Sequence, residues 1–133
     1  MASTTTRNAK ASSSGSGAVP QVLATPTDLD PSDVEAVTNA VNPLIADTIA
    51  LYLKTKNFHW HLAGRHFRDY HVLFDEQAAD ILAPLDELAE RVRKLGGTTL
   101  RSVGHVSRLQ TIADDDDAYV PAREMVERLL ADN

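Results

Sequence analysis

Hydrophobic and polar positions follow a helical period from Pro31 onward. Asp30 fits the N-cap of a helix whose first residue is Pro31. Apolar residues then recur every three or four positions as far as Phe58, and Pro43 interrupts them. The pattern predicts one long, kinked helix that ends near Trp60.

A second helix is predicted over about residues 67–95, after a loop at residues 62–67. Gly96-Gly97 is the usual signal for a helix C-terminus, and Pro84 should kink or loosen one turn. The following residues, 98–112, could hold a short helix.

The last part of the chain contains an acidic run and the start of a further helix. Asp114–Asp117 is expected to be a solvated loop, and Pro121 opens the helix. Helical bundles bury the apolar stripe of each helix against several neighbouring helices. Two long helices and one short helical segment therefore leave apolar surface uncovered. We therefore expect either extensive oligomerisation or a fragment of a longer chain. The predicted apolar face of the last helix consists of Met125, Val126, Leu129 and Leu130.

Composition divides the chain into a tail and one domain. Of the first 18 residues, 14 are Ser, Thr, Gly or Ala, which predicts a flexible tail. A Pro-containing linker follows, so we assign residues 1–29 to the tail and linker and residues 30–133 to a folded domain.

Several classes of protein are excluded by composition. The chain has no cysteine, which excludes disulfide scaffolds, thiolate metal sites and thiol nucleophiles. Its net charge is −6, and no part approaches the roughly 18 consecutive apolar residues of a membrane span. We expect no secretory signal, because the start of the sequence carries Arg7 and Lys10 but no apolar segment. We therefore expect no membrane association and a cytoplasmic location, with the nucleoid as an open alternative.

A stripe of potential metal ligands runs along the second predicted helix. At about 100° per residue from His71, Asp75 falls near 40°, Asp86 near 60° and Glu90 near 100°. The apolar residues of this helix occupy one flank of the stripe, and Glu76, Asp80 and Glu87 lie on the other.

The stripe consists of two pairs, His71/Asp75 and Asp86/Glu90, each spaced i, i+4 so that it could chelate an ion. The pairs lie about 22 Å apart along the axis, so one ion cannot bridge them within one chain. Two antiparallel copies about a twofold axis would bring each pair against the other. Imidazole with carboxylates suits iron, manganese or zinc, and carboxylate-rich sites favour iron.

Taken alone, each pair is more often part of a solvated helix flank than a metal site. Three further histidines lie off the stripe and are expected to be surface or packing residues: His61, His66 and His105.

The stretch around Asn57-Phe58-His59-Trp60 resembles the signature of the Dps family, the DNA-binding proteins from starved cells, which are miniferritins. The resemblance continues over residues 67–75, 85–92 and 95–97, and it covers roughly residues 34–133. The combined pattern is specific. A His precedes a Trp, a second His follows 12 residues later, then come an Asp and a later Asp/Glu pair.

The resemblance implies an all-α, ferritin-like four-helix bundle, here lacking the end of the third helix and the fourth. It also implies a ferroxidase centre at a dimer twofold. His59, His71 and Asp75 would come from one subunit, and Asp86 and Glu90 from the twofold-related one. The same resemblance makes Trp60 a neighbour of the metal and not a ligand.

The implied activity is oxidation of Fe(II), with hydrogen peroxide as preferred oxidant, and storage of Fe(III) inside a shell of twelve subunits. Binding of DNA is the other property that the resemblance implies. The tail offers only Arg7, Lys10 and the amino terminus for phosphate contacts, so DNA binding is weakly supported. A nucleoid-binding structural protein and a truncated remnant without assembly or turnover are the alternatives.

Overall fold

The computed structural model describes residues 18–133. These residues form helices and loops without a strand, as the all-α prediction requires. None of the described helices combines the length and the apolar character needed to cross a membrane. The predicted tail falls almost entirely on residues outside the described range. A short 3-10 helix spans Gln21–Leu23, and the α-helices are α1 (Pro31–His61), α2 (Phe67–Leu82), α3 (Leu85–Lys94), α4 (Val103–Leu109) and α5 (Ala122–Asp132).

Helix α1 is the scaffold against which the other helices pack. It begins at Pro31, where a residue without an N–H is tolerated, and it continues through Pro43 to His61. Asp30 is the N-cap residue, but its backbone carbonyl, and not its carboxylate, accepts the first amide hydrogen bonds. The predicted start is therefore confirmed, and the end lies one residue beyond Trp60.

The second predicted helix is two helices. Helix α2 ends at Leu82 and α3 begins at Leu85, with Ala83 and Pro84 in a turn between them. Pro84 has no N–H, so it cannot bond the carbonyl of Asp80. The predicted single helix is therefore divided in two, at the turn where Pro84 predicts a kink or a loosening.

Helix α3 ends where the glycine pair predicts. Gly96 has φ +99°, and its amide donates to the carbonyl of Arg93 while the Gly97 amide donates to the carbonyl of Val92. This is the Schellman arrangement, which favours glycine at the left-handed position. Gly97 is buried against Thr38 of α1, with no room for a side chain.

The segment after α4 is tied to α1 by polar side chains. The Lys54 ammonium is buried and donates to Asp132 Oδ2 at 2.6 Å and to the Ala113 carbonyl at 3.1 Å. Asn57 donates to the Asp115 carbonyl at 3.1 Å. Together these contacts fix the segment and the end of α5 against α1.

The acidic run Asp114–Asp117 is not the fully solvated loop that its charge predicted. The side chain of Asp115 is only 2% exposed and accepts a hydrogen bond from Arg128 at 2.6 Å. Arg128 also binds Asp117 at 2.8 Å and Glu124 at 2.6 Å. These carboxylates raise the pKa of the Arg128 guanidinium above its ordinary value, so the cation is permanent.

The hydrophobic core forms where α1, α2 and α5 meet. On the predicted face of α5, Met125 and Leu129 are buried and Val126 is half-buried, but Leu130 is 74% exposed. Leu130 is therefore apolar surface that the described part of this chain leaves uncovered. The buried cluster consists of Phe58, Leu62, Phe74, Val120, Met125 and Leu129.

Candidate metal centre

Three of the five predicted ligands lie at one end of the α1–α2 pair. His59 is in the last turn of α1 and is buried, His71 is one turn into α2, and Asp75 follows one turn later. The loop of residues 62–66 reverses the chain, so the end of α1 faces the start of α2. Residues twelve positions apart are thereby brought side by side.

The two histidines hold each other through a reciprocal pair of hydrogen bonds. His59 Nδ1 donates to the carbonyl of His71 at 2.8 Å, and His71 Nδ1 donates to the carbonyl of His59 at 3.1 Å. A carbonyl oxygen only accepts, so each Nδ1 must carry the proton. In the neutral imidazoles each Nε2 therefore keeps its lone pair, which is the state a metal requires.

Aromatic packing fixes the ring planes. The His59 and His71 rings stack with centroids 3.7 Å apart and an interplanar angle of 21°. Phe67 stacks on the other side of His71 at 4.9 Å. Trp60, the predicted neighbour, is 59% exposed.

Asp75 lies near the histidines but forms a salt bridge with a lysine. Its Oδ1 lies 4.0 Å from His59 Nε2 and 2.7 Å from the Lys56 ammonium. The hydrogen bond and charge of Lys56 hold the pKa of Asp75 below its ordinary value. The same ammonium lies 5.8 Å from the centroid of the Trp60 ring. Asp75 is thus ionised, and the Lys56 ammonium already binds the oxygen of Asp75 that lies nearest His59.

Asp86 and Glu90 lie on α3, beyond the break at Pro84, and both are exposed. Glu90 accepts from Lys94 at 2.6 Å, which holds the pKa of Glu90 below its ordinary value. Within residues 18–133 of one chain, no three His, Asp or Glu side chains come together as a metal-holding group. The five-ligand site shared by two chains therefore stays a prediction.

The predicted donors at this end of the α1–α2 pair are of the types that suit a transition metal. Two imidazoles with free Nε2 atoms and one ionised carboxylate are nitrogen and oxygen ligands, which suit Fe(II). The carbonyl partners at Nδ1 supply the outer hydrogen bonds that orient ligating histidines.

The remaining predicted surface histidines are as expected. His61 is exposed and its Nδ1 donates to the Asn57 carbonyl one turn earlier, and His66 is exposed as well. His105 is half-buried on α4.

Sequence reasoning missed the lysines and Phe67. The i, i+4 spacing of Glu90 and Lys94 could have indicated their ion pair. Nothing in the spacing of Lys56 and Asp75 indicates their contact, because it crosses between two helices.

Known proteins to which this chain is similar belong to the ferritin-like domain family or carry Dps-type names. The ferritin-like domain family matches residues 38–133. The chain is 35% identical over 116 residues to the DNA protection during starvation protein 1 of Deinococcus radiodurans, covering 87% of this chain and 56% of that protein.

Solved structures give the same result. DpsC from Streptomyces coelicolor matches with a TM-score of 0.78 and 30% identity, over 86% of this chain and 65% of that one. A Dps protein from Vibrio cholerae, described as a member of the ferritin-like diiron-carboxylate superfamily, matches with a TM-score of 0.74 and 26% identity, over 90% and 71%. The chain belongs to the ferritin-like superfamily and, within it, to the Dps family. It spans a little over half the length of the curated Deinococcus relative.

Proposed function

We propose that this chain oxidises Fe(II) with hydrogen peroxide and stores the Fe(III) product in a shell of twelve copies. The observation that carries the proposal is the pair His59 and His71, whose Nδ1 atoms are bonded to carbonyls and whose Nε2 atoms are left for a metal. Membership in a family that includes a diiron-carboxylate protein supports iron as the substrate.

The proposed site is shared by two copies related by a twofold axis. One copy contributes His59, His71 and Asp75, and its partner contributes Asp86 and Glu90. The placement of the residues supports this division, because His59, His71 and Asp75 lie at one end of the α1–α2 pair, whereas Asp86 and Glu90 lie on α3, beyond the break at Pro84. Trp60 lies beside the site and coordinates nothing.

The proposed reaction consumes one peroxide for every pair of Fe(II) ions. Two Fe(II) give up one electron each, the O–O bond breaks, and two protons complete two molecules of water. Because both electrons go to the same peroxide, no hydroxyl radical is released. The stacked imidazoles hold one side of the site fixed, while Asp75 exchanges the Lys56 ammonium for the iron. We place this activity in the cytoplasm, where it protects the cell and its DNA from oxidative damage.

Complementation between two inactive variants tests whether the site is shared. The variant His71→Ala lacks one half-site, and the double variant Asp86→Ala/Glu90→Ala lacks the other. In a mixed dimer, one site receives both defects and the second site receives none. Random mixing should therefore restore about a quarter of the wild-type sites.

The readouts are the number of Co(II) ions bound and the rate of Fe(III) formation after addition of peroxide. Asp80→Ala/Glu87→Ala is the matched control, since it removes two exposed carboxylates outside the stripe from the same helices. If each variant alone retained full Co(II) binding, the assignment of ligands would be wrong. If the mixture stayed inactive, the site would not be shared. An oligomer no larger than a dimer in gel filtration would contradict the shell.

A further inference from the structure

A groove of about 640 Å³ lies between α1 and α4, and the acidic run Asp114–Asp117 forms part of its wall. Its apolar lining includes side chains that are exposed to solvent, namely Leu53 and Trp60 of α1 and Val103 of α4. Small-molecule sites have volumes of about 300–1,000 Å³ and are lined mostly by apolar side chains with a few polar groups. The groove therefore has the size and the lining of a site for a small molecule.

The acidic run gives the groove a negative wall. Arg128 neutralises part of the run, but Asp114 and Asp116 are exposed and form no ion pair with any residue of the described range 18–133. Lys54 also lines the groove, but its buried ammonium is already paired with Asp132. The groove thus keeps an excess of negative charge, which attracts cations.

Two residues that line the groove each have a buried oxygen without a hydrogen-bond partner in the part of the chain that the structure describes. One is Oδ1 of Asp115, whose side chain is 2% exposed and whose Oδ2 binds Arg128. The other is Oε1 of Gln110, the residue that follows α4. Gln110 Nε2 lies 3.4 Å from Asp114, the neighbour of Asp115, so both oxygens belong to the same part of the groove.

The two oxygens define what the groove would bind. A buried acceptor that has no partner keeps its full desolvation cost, so a ligand that donates to it gains the corresponding free energy. A carboxylate oxygen and an amide oxygen only accept, so the ligand must be a donor. Beside a carboxylate wall, a positively charged donor is favoured over a neutral one.

We propose that the groove binds a small organic cation, in which a primary ammonium group is attached to an apolar body. The body would lie against the apolar side chains of α1 and α4, and the ammonium would donate to Asp115 Oδ1 and Gln110 Oε1. An ammonium has three donors and no acceptor, which matches an environment of oxygens alone. None of the five proposed metal ligands lines the groove, so the inference is independent of the proposed function.

The test uses Trp60, which is the only tryptophan of the chain and lines the groove, so that its fluorescence reports occupancy. Three probes share a cyclohexyl body and differ in the head group: cyclohexylmethylamine, cyclohexylmethanol and cyclohexanecarboxylate. Each is titrated into the full chain at neutral pH and low salt. The amine should change the emission saturably and bind at least about tenfold more tightly than the alcohol. The carboxylate should not bind.

Two variants test the polar wall. Gln110→Met removes one unpartnered oxygen at nearly constant side-chain size and should weaken binding of the amine more than binding of the alcohol. Asp114→Asn/Asp116→Asn removes the two unpaired charges and should weaken binding of the amine about fivefold, with little effect on the alcohol. Asp80→Asn/Glu87→Gln is the matched control, since it removes two exposed carboxylates outside the groove, and it should bind the amine as the wild type does. Circular dichroism checks that each variant is folded.

The inference is overturned if the amine does not bind, if the alcohol binds equally well, or if the control loses as much as the Asp114/Asp116 variant. Two other occupants of the groove have their own outcomes. An apparent Kd that rises with protein concentration would show that a second copy covers the groove. Binding that is seen only in Arg7→Ala/Lys10→Ala would show that the tail covers it, and either result overturns the inference.

The variant His71→Ala separates the groove from the proposed metal centre. It should bind the amine like the wild type, and loss of binding would place the amine at the histidines and overturn the inference. Co(II) binding is measured on the same preparations. Its absence from the wild type would contradict the proposed function and leave the comparison among the three probes intact.

Discussion

Replacement of Gly97 by alanine tests the contact that fixes the end of α3 against α1. A Cβ at this position would overlap Thr38 Oγ1 and would lie 3.1 Å from Val92 Cγ1 and 3.3 Å from the Val92 carbonyl oxygen. The backbone of Gly97 does not have positive φ, so alanine adds no backbone strain there. The whole cost is therefore steric.

The magnitude follows from how these neighbours can move. The Val92 side chain is 1% exposed and closely packed, and the carbonyl belongs to the helix, so neither yields easily. Overpacking of this kind costs about 1–3 kcal/mol, and we expect Gly97→Ala to lie near 2 kcal/mol. Thr38 is half-buried, so its hydroxyl has some room to turn away.

A double-mutant cycle identifies the cause. Thr38→Ala removes the overlapping hydroxyl, so Gly97→Ala/Thr38→Ala should be less destabilised than the sum of the single changes by about 1 kcal/mol. Thr38→Val keeps the bulk and should give no such rescue. The assay is urea unfolding followed by circular dichroism, at one fixed protein concentration because oligomers are stabilised by mass action. A Gly97→Ala variant within 0.5 kcal/mol of the wild type, or additive changes, would refute the reasoning.

Three further predictions concern charged and backbone positions. Lys54→Met leaves the nearly buried Asp132 without its cation and should cost about 3 kcal/mol in urea unfolding, with Asp132→Leu restoring much of the loss; an unchanged stability would contradict the buried pair. Lys56→Met removes the ammonium that competes for Asp75, so Co(II) should bind several-fold more tightly in a calorimetric titration, and weaker binding would count against that competition. Pro84→Ala restores an N–H at the break, so it should increase the helical ellipticity and raise the free energy of unfolding by about 1–3 kcal/mol. A loss of either would show that the break is needed.

The helices were predictable where the hydrophobic period and the residues that start or stop a helix agree. Pro31 and the Gly96-Gly97 pair mark a helix start and a helix stop for backbone reasons that hold in any protein, and the structure has both. The break at Pro84 was predicted only as a kink. Whether a helix bends or divides there depends on the packing of both halves, which a local pattern does not contain.

The candidate site was predictable in part. The resemblance supplied His59, and the helical period supplied His71 and Asp75. The structure stacks the two histidine rings and places Asp75 Oδ1 4.0 Å from His59 Nε2. The contact of Lys56 with Asp75 depends on how α1 and α2 are rotated against each other. The same limit explains Asp115: a run of four aspartates predicts a solvated loop, but Arg128 from α5 binds and covers one of them.

The reciprocal bonds between His59 and His71 have a consequence for the order of assembly. They join residues only 12 positions apart, across a single helical hairpin. Contacts of such short sequence separation close a short loop and are among the quickest to form as a chain folds. The imidazole half of the centre is therefore expected to be in place as soon as the hairpin exists. A second copy would then dock onto a preorganised half-site, and the entropy of orienting the histidines would already have been lost during folding.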